Sequence, residues 1–185
     1  MKLTVPVNDR DHIKGKENAS VVLVEYGDFE CPDCKYVFPI VEEIIRIEAD
    51  KLKIVFRHFP LSEIHPHALH AAYAAEAAAK QGKFWEMHNL LLENQDALED
   101  QDLLAYAEGL NLEIERFKKD MTSEEIAKKI KDDFMSGVKS GVNGTPTFFI
   151  NGIRFDGPSE VISLRKAIEL TSKHKKKGGA SDDST

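Results

Sequence analysis

Two cysteines, Cys31 and Cys34, are the residues of this chain best suited to chemistry. They are its only cysteines and are separated by Pro32 and Asp33. The apolar run at 21–26 predicts a strand before them, and the apolar spacing after them predicts a helix. Free N–H groups and the positive dipole end at a helix start stabilise a thiolate, so we expect a lowered Cys31 pKa. Cys34, one turn further, would lie close enough to form a disulfide, as thiol–disulfide exchange requires.

The main alternative for a Cys-x-x-Cys motif is a structural zinc site. Such a site usually has four Cys or His ligands, and the chain has no second cysteine pair. His65, His67 and His70 lie near a predicted helix start, where capping or packing of that helix accounts for them better than metal binding does. We therefore expect no metal site and no cofactor, and an inert buried cysteine pair stays as the alternative to a reactive one.

The composition disfavours several classes of partner. The formal net charge of -7 argues against nucleic acid and anionic membranes, which an acidic surface does not attract. No stretch reaches the ~20 apolar residues of a membrane-spanning helix, and residues 1–11 lack the apolar run of a signal peptide. The chain as it is written is therefore predicted to be cytoplasmic, and an exported protein without its leader is the alternative. Two cysteines within one motif also rule out a disulfide scaffold of the secreted type.

The segments around the motif predict a βαβ unit. The helix after the motif contains Pro39, which should kink it because proline cannot donate a hydrogen bond to the carbonyl of Lys35. A second apolar run at 52–59, closed by Pro60, predicts the next strand. A strand, a helix and a strand in direct succession form a βαβ unit with a right-handed crossover.

The apolar spacing then predicts a block of helices, a hairpin and a last helix. The helices are expected at 68–80, 84–93, 97–108, 113–120 and 123–139. Asn151-Gly152 is a strong hairpin signal between the strand-like runs 147–150 and 153–155. Pro158 suits the first turn of a C-terminal helix.

The order of these elements predicts one α/β domain, with βαβ followed by a helical block and then ββα. We place this domain at residues 1–174, with about 62–122 as a helical insertion within it. Residues 175–185 contain consecutive lysines followed by small polar residues. This composition predicts a disordered, solvated tail.

Five short segments form an ordered set of motifs between about residues 20 and 170. They are Val24-Glu25-Tyr26, Phe29-Glu30-Cys31-Pro32-Asp33-Cys34, Phe56-Arg57-His58-Phe59-Pro60-Leu61, Gly82-Lys83-Phe84-Trp85 and Gly144-Thr145-Pro146-Thr147-Phe148-Phe149-Ile150-Asn151-Gly152. Together they resemble the thioredoxin superfamily and, within it, the DsbA-like group, which has a helical insertion. The resemblance implies a thioredoxin-like fold and a protein disulfide oxidoreductase. Its partners would be polypeptides with thiols or disulfides and a redox partner that the sequence does not identify.

The resemblance also implies roles for individual residues. Cys31 matches the family's nucleophile and Cys34 its resolving cysteine. Thr145-Pro146 matches a loop that ends in a cis proline and faces the cysteines, where its backbone pairs with an extended substrate. Glu25 matches a buried acidic residue beneath the active site, a proton relay to the resolving cysteine. An ordinary strand-end carboxylate accounts for Glu25 equally well.

The residues between the cysteines depart from the family pattern. Strongly oxidising members commonly have Pro-His there, whereas this chain has Pro32-Asp33. The carboxylate of Asp33 should oppose a thiolate, and those of Asp28 and Glu30 should oppose it more weakly. A full charge at ~8 Å and an effective dielectric near ~40 would cost about 1 kcal/mol. The helix start outweighs this, so we expect a Cys31 pKa of about 5–7 and a less oxidising disulfide.

Three functions stay open at this level. The first is an enzyme that oxidises, reduces or isomerises disulfides in polypeptides through Cys31 and Cys34. The second is a glutathione-linked transferase or isomerase, or a thiol peroxidase, on the same fold. Those chemistries often use one reactive residue at the helix start, so the presence of Cys34 argues against them. The third is a redox-inert binding or chaperone-like domain, a class that commonly lacks one of the two cysteines.

Overall fold

The computed structural model describes residues 1–158 and 161–178 of the chain. Within them five strands form one mixed sheet: β1 (His12–Gly15), β2 (Val21–Gly27), β3 (Leu52–His58), β4 (Thr147–Ile150) and β5 (Ile153–Phe155). Their order across the sheet is β1-β3-β2-β4-β5. β2 and β3 are parallel, and the other pairs are antiparallel.

The predicted βαβ unit forms the centre of the sheet. Helix α1 (Pro32–Ile47) connects β2 to β3, and Pro39 lies inside it. The two strands are apolar because elements cover both faces of the sheet. Leu23 and Val24 of β2, which point to opposite faces, are 0% and 1% exposed.

Five helices follow between β3 and β4 in the described part of the chain. They are α2 (Ala68–Ala79), α3 (Phe84–Glu93), α4 (Asp100–Gly109), α5 (Ile114–Asp120) and α6 (Glu124–Lys139). Helices α2 to α5 fall within the range predicted as an insertion. The alanine-rich α2 contacts α3, α4, α5 and α6, because small side chains let neighbouring helices approach closely. No helix of the described residues is both long enough and apolar enough to cross a membrane.

The two faces of the sheet carry different layers. Helix α1 and the last helix, α7 (Val161–Gly178), pack on one face, and α6 packs on the other. Because successive strand residues point to opposite faces, Glu25 faces the α1 side with Leu23, whereas Tyr26 faces the α6 side. On the α6 side Phe59 stacks on Phe134 with ring centroids 4.3 Å apart.

The turn between β4 and β5 has the conformation that its sequence predicts. Asn151 and Gly152 both have positive φ, 46° and 80°, as the tight turn of a two-residue hairpin requires. Asn151 also joins the hairpin to β2, since its Oδ1 accepts a hydrogen bond from the Val22 N–H at 2.8 Å. The hairpin therefore closes the sheet against its central strand.

Two parts of the chain differ from the prediction. β1 was not predicted, because it is a short, half-exposed edge strand defined by its pairing with β3 rather than by its own pattern. Helix α7 continues to Gly178 and so includes residues 175–178, the first part of the segment predicted as a tail. Lysine is a good helix former. Residues 179–185 lie outside the described residues.

Candidate active site

Cys31 is the residue that immediately precedes α1, and Cys34 lies in the first turn of that helix. Pro32 occupies the first helical position, where its missing N–H has no partner to lose. Cys31 has an extended backbone (φ -73°, ψ 123°), and its side chain makes no capping hydrogen bond, so its sulfur stays available. Both cysteines are free thiols, and they are 5% and 1% exposed respectively.

The Cys31 thiol is acidified. Its pKa falls from 9.0 to about 6, chiefly because the Cys34 thiol donates a hydrogen bond to the Cys31 sulfur. Burial opposes this shift, whereas the Thr145 side chain and the backbone N–H groups of Cys34 and Asp33 lower the pKa further. The value lies in the range expected from the sequence. The causes of the low pKa rank differently from the prediction. The helix start acts through those two N–H groups, and the Cys34 thiol lowers the pKa more than they do.

Cys34 shows the opposite shift. Burial, the hydrogen bond to Cys31 and the charge of Glu25 raise its pKa well above 9.0. Glu25 is itself 6% exposed, and burial followed by the charge of Glu42 raises its pKa to about 8. Glu25 pairs with residues of both β3 and β4 in the middle of the sheet. This environment is not that of an ordinary strand-end carboxylate.

The Thr145–Pro146 loop faces the cysteines, and the peptide bond between these two residues is cis. The Cys31 thiol donates to the Thr145 carbonyl oxygen, with Sγ 3.3 Å away. Thr145 Oγ1 is buried without a hydrogen bond of its own, which leaves this hydroxyl available to a Cys31 thiolate. Thr147 Oγ1 donates to the Gly144 carbonyl at 2.7 Å and tightens the loop. The arrangement places two polar groups of one residue beside the nucleophile.

The carboxylates expected to oppose the thiolate are paired or exposed. Asp28 accepts a hydrogen bond from His65 Nδ1 at 2.8 Å, and Glu30 accepts one from His67 Nδ1 at 2.8 Å. Asp33 is exposed, where solvent screens its charge. These pairings weaken the opposition predicted from the sequence. They also correct the expected role of the two histidines, whose side chains bind the active-site loop instead of only capping or packing α2.

One residue of the site was not anticipated from the sequence. Gln95, in the turn after α3, donates from its Nε2 to the carbonyl oxygens of Phe29 at 2.8 Å and Cys31 at 2.9 Å. It lies more than sixty residues along the chain from both partners. A long-range contact of this kind leaves no local pattern, so no sequence signal identifies Gln95.

One group of described residues brings potential metal ligands together, although the sequence predicted no metal site. Ligand atoms of His12, His58 and Glu76 lie within 4.8 Å of one another. Nε2 of both histidines is hydrogen-bonded to Glu76 Oε1, at 2.7 and 2.8 Å, and Lys129 Nζ lies 3.8 Å from the same oxygen. Burial opposes the Glu76 charge, but the two histidines hold its pKa well below its usual value. The arrangement is a hydrogen-bonded charge network at the junction of β1, β3 and α2, and it does not include the cysteines.

A mixed sheet, a Cys-x-x-Cys motif at a helix start and a facing cis-proline loop define the class of thioredoxin-fold dithiol proteins. Comparison with known families agrees, since residues 7–170 match the family described as Thioredoxin. The chain belongs to this family and is a DsbA-like member of the thioredoxin superfamily, since DsbA2 of Pseudomonas aeruginosa superposes with a TM-score of 0.72 and 26% identity, covering 91% of this chain and 97% of that chain. The resemblance noted in the sequence is therefore confirmed.

Solved structures confirm the fold class. A thioredoxin-like oxidoreductase from Silicibacter pomeroyi superposes with a TM-score of 0.81 and 26% identity, covering 90% of this chain and 94% of that chain. The oxidised form of BdbD from Bacillus subtilis superposes with a TM-score of 0.78 and 26% identity, covering 91% of this chain and 96% of that chain. The predicted α/β, thioredoxin-like arrangement is thus correct.

The curated relatives are much longer proteins. The Na(+)/H(+) antiporter NhaA 3 of Salinispora tropica is 48% identical over 167 residues, which cover 90% of this chain and 26% of the relative. The chain thus spans about a quarter of the length of the curated relatives that it matches. The transport activity in the relative's name is not carried over to this chain.

Proposed function

We propose that this chain is a thiol–disulfide oxidoreductase that exchanges disulfides with polypeptide substrates through Cys31 and Cys34. The carrying observation is the opposite pKa shifts of the two thiols. One is ionised near neutral pH, while its hydrogen-bonded neighbour stays protonated. Such a pair supplies a nucleophile and a resolving thiol in one site. The name of a similar structure, the thioredoxin-like oxidoreductase from Silicibacter pomeroyi, supports the same class.

The exchange proceeds in two sulfur transfers. The Cys31 thiolate attacks one sulfur of a substrate disulfide, so that a mixed disulfide forms and the other substrate sulfur leaves as a thiolate that takes up a proton. Cys34 then loses its proton and attacks Cys31 Sγ, which forms the Cys31–Cys34 disulfide and releases the second substrate thiolate. Two electrons pass from the cysteine pair to the substrate. In the reverse direction a substrate dithiol is oxidised and the pair is reduced.

We assign to Glu25 the role of accepting the Cys34 proton. The Cys34 thiol must ionise before it attacks, but burial holds its pKa high. The Glu25 carboxylate is close enough for its charge to act on Cys34, and a pKa of about 8 makes it a stronger base than an ordinary glutamate. The proton would pass from Cys34 Sγ to Glu25 in the ionised form, which is the minor form below pH 8, and from there to solvent.

The substrate would lie along the Thr145–Pro146 loop. This loop presents its backbone next to Cys31 Sγ, with the Thr145 carbonyl oxygen 3.3 Å from the sulfur. An extended polypeptide that pairs with such a backbone edge is held by main-chain hydrogen bonds and needs no particular sequence. This binding mode fits an enzyme that accepts many polypeptide disulfides.

Insulin reduction by the wild-type chain, Cys31→Ser and Cys34→Ser tests the proposal. Cys31→Ser should lose all activity above the uncatalysed rate, because Cys34 alone is buried and protonated. Cys34→Ser should still attack but should accumulate a mixed disulfide, which mass spectrometry detects. Equal turnover by wild type and Cys31→Ser contradicts the proposal. Failure of the wild-type pair to form an intramolecular disulfide under mild oxidation would favour the redox-inert binding domain instead.

A second assay separates the proposal from the other enzymes of this fold. Turnover of glutathione conjugates or peroxides that exceeds insulin reduction and persists in Cys34→Ser would indicate a glutathione-linked enzyme or a peroxidase. The proposed exchange requires the opposite result, because its second step uses the Cys34 sulfur.

The direction of exchange and the compartment are part of the same proposal. The less oxidising disulfide expected from Pro32-Asp33 suits a reducing, cytoplasmic location better than an oxidising one. The equilibrium redox potential against glutathione decides between them, since a value near the cytosolic poise indicates a reductase and a much higher value an oxidant.

A further inference from the structure

We infer that Gln95 is a positioning residue for Cys31. Its side-chain amide binds the backbone on both sides of the nucleophile and thereby keeps the Cys31 sulfur at the helix start. The inference rests on the proposed function, in which Cys31 is the attacking thiol. It assigns to the helical block between β3 and β4 a direct part in setting the reactivity of that thiol.

The two Gln95 hydrogen bonds complete the pairing of a short loop. Within this loop the Glu30 N–H donates to Asp28 Oδ1 at 2.8 Å, and the Cys31 N–H donates to the Asp28 carbonyl at 3.2 Å. Gln95 Nε2 supplies donors to the Phe29 and Cys31 carbonyls, at 2.8 and 2.9 Å. The loop is thus held from within by Asp28 and from outside by Gln95.

Gln95 is itself held in place by the turn that carries it. The Ala97 N–H donates to the Asn94 carbonyl at 2.9 Å, which closes the turn after α3. The Tyr106 hydroxyl of α4 donates to the Ala97 carbonyl at 2.7 Å. Because the backbone of the turn is fixed, only the side-chain rotations of Gln95 must be given up to make the two bonds. The amide is therefore directed at the active-site loop before any substrate binds.

The effect on Cys31 follows from the position of its carbonyl. This carbonyl belongs to the residue before α1 and also accepts the Lys35 N–H at 3.2 Å, as the first hydrogen bond of the helix. When Gln95 fixes the Cys31 carbonyl, it also fixes the Cys31 backbone. This backbone holds Cys31 Sγ near the N–H groups of Asp33 and Cys34, both of which favour the thiolate. The Gln95 amide also offsets the negative ends of two carbonyl dipoles near the sulfur. Loss of the amide should therefore make the thiolate less favourable.

The test compares Gln95→Met, which keeps the length of the side chain but has no donors, with a matched control. The control is Gln81→Met, because Gln81 also binds backbone, donating to the Glu113 carbonyl at 3.1 Å and accepting from the Glu113 N–H at 2.9 Å. Gln95→Met should raise the Cys31 pKa by about 0.5 unit and shift the equilibrium with glutathione about threefold toward the disulfide. Gln81→Met should change neither quantity.

Two further variants keep the inference testable. Gln95→Glu places a carboxylate against the two carbonyls and should raise the Cys31 pKa more than Gln95→Met does. Should Gln95→Met fail to fold, as judged by circular dichroism, Gln95→Asn replaces it, because its shorter amide does not span the same distance. The inference is wrong if the Gln95 variants titrate like Gln81→Met. The Cys31 pKa, measured from thiolate absorbance in the reduced protein, decides this even without exchange activity, so failure of the proposed function shows separately in the insulin assay.

Discussion

Two clusters of buried polar groups lie on opposite faces of the sheet, and they are built in opposite ways. On the α6 side the Arg57 guanidinium is 1% exposed and uses all of its five N–H donors. Two go to the Asp11 carboxylate at 2.8 and 2.9 Å, and the others go to the Val5 and Pro6 carbonyls and the Tyr26 hydroxyl at 2.9 to 3.0 Å. Every charge and donor of this guanidinium has a partner.

On the α1 side, the cluster around the cysteines is left incompletely paired. Glu25 is buried with its pKa raised to about 8, Cys34 is buried with a raised pKa, and Thr145 Oγ1 has no hydrogen bond of its own. Groups of this kind reduce stability, but they change protonation near neutral pH. The contrast indicates that one cluster holds the fold together, whereas the other keeps a thiol reactive at a cost in stability.

The largest expected effect is a gain of stability in Glu25→Gln at alkaline pH. A pKa raised from 4.5 to about 8 means that the folded protein retains a proton that the unfolded chain releases above pH 4.5. Stability contributed by this group therefore falls as the pH rises from 4.5 to 8, by about 5 kcal/mol at about 1.4 kcal/mol per pKa unit. Gln does not titrate, so the variant should exceed the wild type at pH 8 and above. Urea unfolding across pH measures the difference.

The control for this prediction is Glu63→Gln at an exposed position. It should follow the wild-type pH profile of unfolding. If the unfolding free energy of Glu25→Gln followed the same pH dependence as that of the wild type, the Glu25 carboxylate would have partners that compensate its burial. The two clusters would then not differ in the way described.

Arg57→Met is expected to lower the stability of the protein, whereas Glu25→Gln raises it. Removal of the guanidinium leaves the buried Asp11 carboxylate and two carbonyls without their partner, which should cost about 3–5 kcal/mol of unfolding free energy. Arg10→Met is the matched control, because Arg10 is 60% exposed in its ion pair with Asp132 and such pairs contribute under about 1 kcal/mol. Denaturant titration compares the two. Equal losses would show that the Arg57 cluster is not a major source of stability.

A somewhat smaller effect is expected at His88, a buried base outside both clusters. Burial lowers its pKa from 6.5 to about 4, and its Nε2 has no hydrogen bond. The unfolded chain therefore binds a proton between these pH values that the folded protein does not, so stability falls as the pH drops from 6.5 to 4, by about 3.5 kcal/mol. His88→Phe, among the rings of Phe29 and Phe56, should remove this part of the acid sensitivity.

Urea midpoints between pH 4 and 7 test this third prediction. The control is His70→Gln, whose histidine is 60% exposed and paired with Asp100. An acid profile of His88→Phe that matches the wild type contradicts it. The result also sharpens the comparison, because it shows whether a buried titrating group outside the dithiol cluster, with Nδ1 bonded to Asn89 but Nε2 without a hydrogen bond, lowers stability in the same way.

Local signals predicted most of the fold. Helix α3 has the predicted bounds, and β2, β3 and the β4–β5 hairpin differ from prediction by at most one residue at their ends. These elements have apolar periodicity bounded by Pro, Gly or Asn, which act within a few residues. β1 has no such signal, because its residues become a strand only by pairing with β3 across forty residues of chain.

The sequence predicted those parts of the candidate site that lie within short motifs. The cysteine pair and the Thr145–Pro146 loop were located from short segments, and the structure brings them together. The leading contribution of Cys34 to the Cys31 pKa needed the three-dimensional geometry. So did the contact of Gln95, since its partner carbonyls are remote in sequence. Backbone contacts from a distant turn require the packed structure.

Glu25 and Tyr26 are consecutive residues of β2, yet one belongs to each cluster. Deletion of a single residue earlier in that strand would bring the Tyr26 phenol beneath the cysteines, whereas insertion of one would bring the Glu25 carboxylate next to Arg57. Substitutions in β2 would alter one cluster at a time, but a change of its length would damage both. Related chains should therefore vary in length in the connections around this strand and keep its own length constant.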